Sequence, residues 1–174
     1  MPSKEPCLPP SFTRPANRIV KLLASRKLTL ITAESCTAGL IAAALSKADG
    51  ATDVLHGGFV VYTKKQKSAA LSVPASRLKR EGSVTAQIAE DMARGALKRS
   101  SADIAIAVTG VLGPQPDEDG NPVGLVYFCC AKRAGDMCAL RKQFPMQDHE
   151  RLCAKTVLAA FDLITGTVLA RRKN

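Results

Sequence analysis

LTLITAESCTAGL, residues 28–40, is the stretch around which the rest of this 174-residue chain is organised. Its apolar first half predicts a buried strand, residues 34–37 predict an exposed turn, and residues 38–44 predict a helix. Such a turn brings hydroxyl groups and free backbone N–H groups together at the carboxyl edge of a sheet, where open α/β folds bind ligands. Ser35 and Thr37 are therefore candidate site residues, although helix capping alone would also explain either of them.

The composition is typical of a single globular domain. A chain of this length with 46% hydrophobic residues can bury one substantial core. We expect a flexible lead at residues 1–13, one domain at 14–170 and a basic tail at 171–174. The amino terminus lacks the apolar core of a signal peptide, and no apolar stretch approaches the ~20 residues that span a bilayer. We therefore expect a cytoplasmic protein without membrane contact.

Charge and cysteine usage narrow the class of ligand. The net charge of +10 is compatible with nucleic acid, an anionic membrane or a small anion as partner. With two Tyr, five Phe and no Trp, the aromatic platforms of single-strand binders are scarce, so nucleic acid is unlikely and a small anionic ligand is favoured. The six cysteines form no CxxC and lack ligand spacing with the two histidines. We expect no metal and no cofactor.

Strand and helix patterns alternate along the chain and end with a hairpin. The predicted strands cover residues 28–31, 59–62, 104–108, 125–131 and 137–144. The predicted helices begin near Pro15, Ala38, Lys64, Pro74, Ala86 and Asp148, and Gly166 is expected to end the last one. This order predicts an α/β fold, a three-layer α/β/α sandwich with a mixed, mostly parallel sheet. The loops at the strand ends would then gather Glu34 to Thr37, Thr52, Tyr62 and Thr109 to Pro114 on one side of the sheet.

A glycine-containing loop, residues 109–114, follows the third predicted strand. Gly110 and Gly113 would let backbone N–H groups approach an anion or a carbonyl oxygen. The same dipeptides also mark ordinary turns, so the loop alone is weak evidence for a site. The polar segment 115–121 that comes next is predicted to be a mobile loop.

Four blocks in a fixed order resemble the CinA carboxy-terminal domain family, whose stand-alone members act as nicotinamide mononucleotide amidohydrolases of the PncC type. The blocks are AESCTAGLIAAAL, GGFVVYTKKQK, AIAVTGVLGP and PVGLVYF. The resemblance implies the same three-layer fold and a step of pyridine-nucleotide salvage, in which nicotinamide mononucleotide and water give nicotinic acid mononucleotide and ammonia. Larger family members carry an amino-terminal domain resembling molybdopterin-binding proteins, and we expect the activity housed there to be absent from this chain.

An amide hydrolase without a metal needs a nucleophile, a base, and donors for the tetrahedral oxyanion. The resemblance implies Ser35 as nucleophile and Lys67 as general base, since a lysine with a depressed pKa can activate serine. Tyr62 would relay or orient the proton, and Cys36 is expected to pack rather than attack. The backbone N–H groups near Cys36, Gly110 and Gly113 would bind the oxyanion or a phosphate. The full set of implied substrate contacts is Glu34, Cys36, Thr37, Thr52, Thr109, Gly110, Gly113 and His149.

The chain departs from the family pattern most strongly at its last helix. The family typically reads Gly-Asp-Arg with a second Arg four residues later, whereas this chain reads Gln147-Asp148-His149 and then Cys153. An arginine at a helix start is a natural bidentate clamp for a phosphate, so His149, Arg151 or Lys64 would have to replace it. The smaller departures are Ala38 for a glycine, Thr52 for a serine and Lys64 for an asparagine.

Two other functions stay open at the level of sequence. A non-catalytic member of the family would be a nucleotide-binding or interaction module, linked to competence or DNA damage. An amidase for a different anionic substrate would use the same nucleophile and base.

Self-association, most simply as a homodimer, is also expected. An apolar hairpin edge formed by Val126, Phe128 and Cys130 would otherwise expose a surface for strand pairing.

Overall fold

The computed structural model describes residues 8–170, which form a five-stranded sheet with helices on both faces. The strands are β1 (Leu30–Glu34), β2 (Leu55–Val60), β3 (Ile104–Gly110), β4 (Leu125–Lys132) and β5 (Met137–Gln143). The helices are α1 (Thr13–Ser25), α2 (Leu40–Leu45), α3 (Lys64–Leu71), α4 (Ala75–Glu81), α5 (Ala86–Lys98) and α6 (His149–Leu169). The strand order is β2-β1-β3-β4-β5, in which β2, β1 and β3 are parallel, β4 is antiparallel to β3, and β5 is antiparallel to β4. The predicted α/β fold with a mixed sheet is confirmed.

Two apolar cores cover the two faces of the sheet. One core contains residues of α1, α2 and α6, and the other contains residues of α3, α4 and α5. Successive residues of a strand point to opposite faces, so Leu30 belongs to the first core while Ile31 and Ala33 belong to the second. The same alternation directs Glu34 toward α2 and Ser35 toward α3.

The last helix is longer than the sequence predicts. Gly166 does not end α6, which continues to Leu169, because Thr167 and Val168 are buried and offset the ~1 kcal/mol cost of a helical glycine. Over an 18-residue window the mean hydropathy of α6 is 1.6, so this 21-residue helix is long and apolar enough to cross a membrane by length and composition alone, contrary to the expectation that no apolar stretch has that length. In this fold α6 packs against α1 and the sheet.

The lead predicted at residues 1–13 is partly folded onto the domain. Residues 1–7 lie outside the described part of the chain, as does the predicted tail at 171–174. Phe12 is buried, and its ring meets that of Phe161 edge to face with 6.4 Å between centroids. The packed domain therefore begins before the predicted boundary at residue 14.

The hairpin is not an exposed apolar edge, so that expectation is wrong. Val126, Phe128 and Cys130 are buried, because β4 pairs with β3 on one side and with β5 on the other. The two edge strands of the sheet are β2 and β5. The homodimer stays a prediction, but the argument from the hairpin no longer supports it.

Gly95 lies where α5 approaches the end of α3 most closely. A Cβ atom at this position would be 2.1 Å from the carbonyl oxygen of Leu71, so the two helices would have to separate. We expect Gly95→Ala to lower the free energy of unfolding by about 2 kcal/mol in urea titrations, despite the better helix propensity of alanine.

Gly166 provides the matched control for this substitution. A Cβ atom there would have no neighbour within 4 Å, so Gly166→Ala should be neutral or stabilise the protein by up to about 1 kcal/mol. The same change in unfolding free energy for both variants would contradict the close contact at Gly95.

Candidate active site

A cavity of about 560 Å³ lies at the carboxyl ends of β1 and β3. Its walls come from the turn after β1, the start of α3, the segment between β3 and β4, and His149 at the start of α6. The volume falls within the range of sites that hold small organic ligands. The sheet edge predicted to carry the site is therefore the edge that carries the cavity.

Ser35 and Lys67 form a hydrogen-bonded pair beside this cavity. The Nζ atom of Lys67 donates to the Oγ atom of Ser35 at 2.8 Å, and both side chains are buried. Lys67 and Leu71, one helical turn apart, are the inward residues of α3. On the other side, the backbone N–H of Ser35 donates to the carbonyl of Val108 at 3.0 Å. Both members of the predicted pair are thus held by regular secondary structure.

The environment of Lys67 favours its neutral amine. Burial lowers the pKa of Lys67 from its ordinary value of 10.5 to about 8, against an opposing effect of Cys36, and the nearby charge of Lys64 lowers it further. A lysine with this pKa can accept a proton near neutral pH, whereas an exposed lysine cannot. The pair can therefore generate a nucleophilic serine.

The sequence predicts Glu34 in an exposed turn, and this prediction is wrong. Glu34 is buried behind Ser35 and supports the turn. Its carboxylate accepts hydrogen bonds from the Thr37 hydroxyl at 2.7 Å and from the backbone N–H groups of Ile41 and Ala42 at 2.9 Å each. These N–H groups belong to the first turn of α2, where a carboxylate is favoured. Neither Glu34 nor Thr37 lines the cavity, so both position the turn rather than contact a ligand there.

Cys36 lines the cavity but is a poor nucleophile. Burial, reinforced by the neighbouring Cys153, raises the pKa of the Cys36 thiol to about 12. The thiolate, not the thiol, is the reactive form, so Cys36 remains unreactive at neutral pH. No backbone carbonyl among residues 8–170 accepts a hydrogen bond from its backbone N–H, which leaves that group available to an oxyanion.

Thr109, Gly110 and Gly113 line the cavity at the end of β3, as predicted. The Thr109 hydroxyl donates to the carbonyl of Ser83 at 2.8 Å, which ties β3 to the turn before α5. A Cβ atom at Gly110 would lie 2.7 Å from the Leu125 carbonyl oxygen, so β4 can approach only a glycine there. Tyr62 also lines the cavity, yet within the described chain its hydroxyl has no hydrogen bond to Ser35 or Lys67.

Thr52 is not at this site, and its prediction as a site residue is wrong. Leu55 at the start of β2 pairs with Leu30 at the start of β1, and the two strands are parallel. Thr52 precedes β2, so it is exposed at the amino ends of the parallel strands, whereas Ser35 lies at their carboxyl ends. Its place before a strand, rather than after one, was the signal in the sequence that would have excluded it.

His149 lines the cavity, but both of its ring nitrogens have protein partners. Nδ1 lies 3.2 Å from the Leu112 carbonyl oxygen, and Nε2 lies 3.3 Å from the Sγ atom of Cys153. Since a carbonyl oxygen only accepts, Nδ1 donates its N–H to Leu112, and Nε2 faces the Sγ atom of Cys153. No group of three or more His, Cys, Asp or Glu side chains in the described residues is arranged to hold a metal ion.

The site also contains a feature that the sequence did not reveal. The segment 115–121, predicted to be a mobile loop, supplies part of the cavity wall and holds Lys64 through Glu118 and Asp119. The acidic residues of this segment were the signal in the sequence, and the partner of Glu118 and Asp119 is more than 50 positions away in the chain.

Known proteins with the same pattern were found by sequence and by structure. A family model described as the CinA C-terminal domain matches residues 13–168. The chain is 36% identical over 151 residues to a CinA-like protein of Geobacter sulfurreducens, covering 87% of this chain and 36% of that protein. It is 44% identical over 115 residues to a putative competence-damage inducible protein of Caldicellulosiruptor bescii, covering 66% of this chain and 28% of that protein. The chain thus spans about a third of the length of the curated relatives it matches.

Solved structures of similar proteins superpose on nearly the full length of this chain. The competence/damage inducible protein CihA of Agrobacterium tumefaciens superposes with a TM-score of 0.89 at 35% identity, covering 94% of this chain and 99% of that one. A competence-damaged protein (CinA) superfamily protein from Escherichia coli gives a TM-score of 0.84 at 34% identity, covering 95% and 96%.

Proposed function

The chain belongs to the CinA C-terminal domain family, and from that premise we propose that it is an amide hydrolase with a Ser-Lys mechanism. The proposed reaction converts nicotinamide mononucleotide and water to nicotinic acid mononucleotide and ammonia. The observation that carries the proposal is the 2.8 Å hydrogen bond between buried Lys67 and buried Ser35 beside a cavity of ligand size. A buried lysine facing a serine is costly to fold, so its presence at a cavity favours a catalytic role.

The pair can perform the two halves of the reaction with one base. The neutral Lys67 amine accepts the Ser35 proton as Oγ bonds to the carboxamide carbon, giving a tetrahedral oxyanion. We assign the backbone N–H of Cys36, which has no backbone carbonyl partner among the described residues, as a donor to that oxyanion. Lys67 then returns the proton to the leaving nitrogen, which departs as ammonia and leaves a Ser35 ester. A water molecule, deprotonated by the same amine, attacks the ester and releases the carboxylic acid and free Ser35.

The direct test is ammonia release from nicotinamide mononucleotide by the purified chain. We expect ammonia and nicotinic acid mononucleotide to form in equal amounts. A coupled enzyme assay would measure the ammonia, and chromatography would measure the nucleotide. A chain that binds the nucleotide without releasing ammonia would instead favour the non-catalytic nucleotide-binding module. Release of ammonia only from another anionic amide would leave the Ser-Lys mechanism but change the substrate.

The pH profile should report the ionisation of Lys67. Because the neutral amine is the base and burial lowers its pKa to about 8, kcat/KM should rise with pH and level off above about 8. With the ordinary lysine pKa of 10.5, the rise in kcat/KM would instead lie near pH 10.5. Stopped assays across pH 6 to 10 would locate it, and a profile that is flat or falls through pH 8 would rule out Lys67 as the base.

A further inference from the structure

Lys64 is held at the cavity by two carboxylates from the segment 115–121, which we call the acidic strap. Its Nζ atom lies 2.8 Å from an Oε1 atom of Glu118 and 2.8 Å from an Oδ1 atom of Asp119. The other oxygen of Asp119 accepts the backbone N–H of Ser83 at 3.2 Å. The acidic strap is therefore fastened both to the start of α3 and to the turn before α5.

The third carboxylate of the acidic strap shapes the strap itself. Asp117 accepts hydrogen bonds from the backbone N–H groups of Asp119 and Asn121, at 3.0 and 2.8 Å, and from the Asn121 side chain at 2.9 Å. These bonds close a compact turn. Glu118 and Asp119 are thereby directed at Lys64 while Asp117 satisfies the backbone.

The charges at this end of the cavity do not match. Two carboxylates surround the single ammonium of Lys64, and their hydrogen bonds raise its pKa, with Asp119 the larger cause and Glu118 the next. Lys65, the next residue of α3, also lines the cavity and has no ion pair within the described residues. Of the two lysines at the start of α3, Lys64 thus pairs with two carboxylates and Lys65 pairs with none among the described residues.

The ion pair of Lys64 with Glu118 is also easy to open. The Glu118 side chain is 73% exposed and that of Lys64 is 30% exposed. Exposed ion pairs contribute little to stability because water screens them. A dianionic ligand group that contacts both lysines can therefore displace Glu118 first, whereas Asp119 is less exposed and also holds the N–H of Ser83.

We propose that Lys64 and Lys65 form a subsite for a dianionic phosphomonoester, and that Glu118 and Asp119 occupy it until the ligand arrives. The inference deepens the proposed function, on which it rests for the remainder of the ligand. It assigns the phosphate to the start of α3 rather than to His149, whose N–H is committed to Leu112. The Thr63 hydroxyl caps the Gln66 N–H, and the N–H groups of Lys64 and Lys65 in the first turn of α3 add partial positive charge.

Binding of ribose 5-phosphate to the full chain, with ribose as the uncharged comparison, tests this competition without requiring turnover. We expect the Glu118→Gln/Asp119→Asn variant to bind ribose 5-phosphate about fivefold more tightly than the wild type in titration calorimetry, which is the order of one exposed ion pair. Glu118→Gln alone, which keeps the Asp119 bond to Ser83, should give part of that gain. Lys64→Met should weaken binding and remove the gain, and ribose should respond to none of the changes.

Asp53 and Asp162 supply the control, because both are exposed and neither lines the cavity. Asp53→Asn/Asp162→Asn changes the net charge by the same amount and should leave ribose 5-phosphate affinity nearly unchanged. The inference is overturned if Glu118→Gln/Asp119→Asn binds ribose 5-phosphate no more tightly than this control. A gain that persists with Lys64→Met, or that ribose shares, overturns it equally.

The amide assay separates the two proposals. Suppose that the acidic strap variants bind ribose 5-phosphate more tightly, as expected, but the chain releases ammonia from no amide. That result would reject the proposed function and keep the subsite. The opposite outcome is ammonia release from nicotinamide mononucleotide together with an unchanged ratio of its KM to that of nicotinamide riboside in the acidic strap variants. That result would reject the subsite and keep the proposed function.

Discussion

Ser35→Ala is expected to lower kcat for ammonia release by about three orders of magnitude or more, the usual result of removing a serine nucleophile. The Oγ atom is the only atom removed, and it is the atom that Lys67 contacts at 2.8 Å. The backbone of the turn should persist, because the N–H of Ser35 pairs with Val108 and Glu34 holds the start of α2. Single-turnover assays and a thermal melt of the same sample would separate chemistry from folding.

Ser68→Ala is the control for this loss. Ser68 is a half-buried serine of α3 outside the catalytic cavity, so its variant should keep its turnover. Turnover of Ser35→Ala close to that of Ser68→Ala would show that another group attacks the amide.

Lys67→Met should abolish activity to the same extent while making the protein more stable. The lowering of the Lys67 pKa from 10.5 to about 8 corresponds to a folding penalty of about 3 kcal/mol for the charged form, and methionine has a similar volume without this cost. Below pH 8 the penalty is fully present. Between pH 8 and 10.5 the unfolded chain binds more protons than the folded one, so wild-type stability rises with pH, and this rise should disappear in Lys67→Met.

The double variant distinguishes a catalytic pair from two independent residues. Because Ser35 and Lys67 act in one proton transfer in the proposed mechanism, Ser35→Ala/Lys67→Met should be no slower than either single variant. Lys47→Met, at an exposed position after α2, should change neither turnover nor the pH dependence of stability. Unfolding titrations at pH 7, 9 and 10.5 would measure this, and additive losses of activity or a destabilised Lys67→Met would contradict the assignment.

Patterns that depend on neighbouring residues were read correctly from the sequence. The start of α3 at Lys64 follows from the Thr63 cap, whereas Lys67 was identified through the family resemblance and its inward position is seen in the structure. The apolar runs at residues 104–108 and 125–131 likewise predict β3 and β4. These features depend on helical and strand periods, which act over a few residues.

Other features depend on segments that are distant in the chain. Glu34 is an ordinary acidic turn residue by sequence and becomes a buried support only because α2 folds back over it. Gly166 is a helix terminator by local propensity and is overridden because Val168 packs into the core.

The residue pattern therefore predicted the order of strands and helices and the three-layer fold, whereas the pairing of Ser35 with Lys67 came from the family resemblance. The packing of distant segments, in contrast, buried Glu34 under α2 and brought Glu118 and Asp119 to Lys64. The physical reason is that buried hydrogen bonds and ion pairs depend on how the whole domain packs, and contacts between residues more than 50 positions apart leave no periodic pattern in the chain.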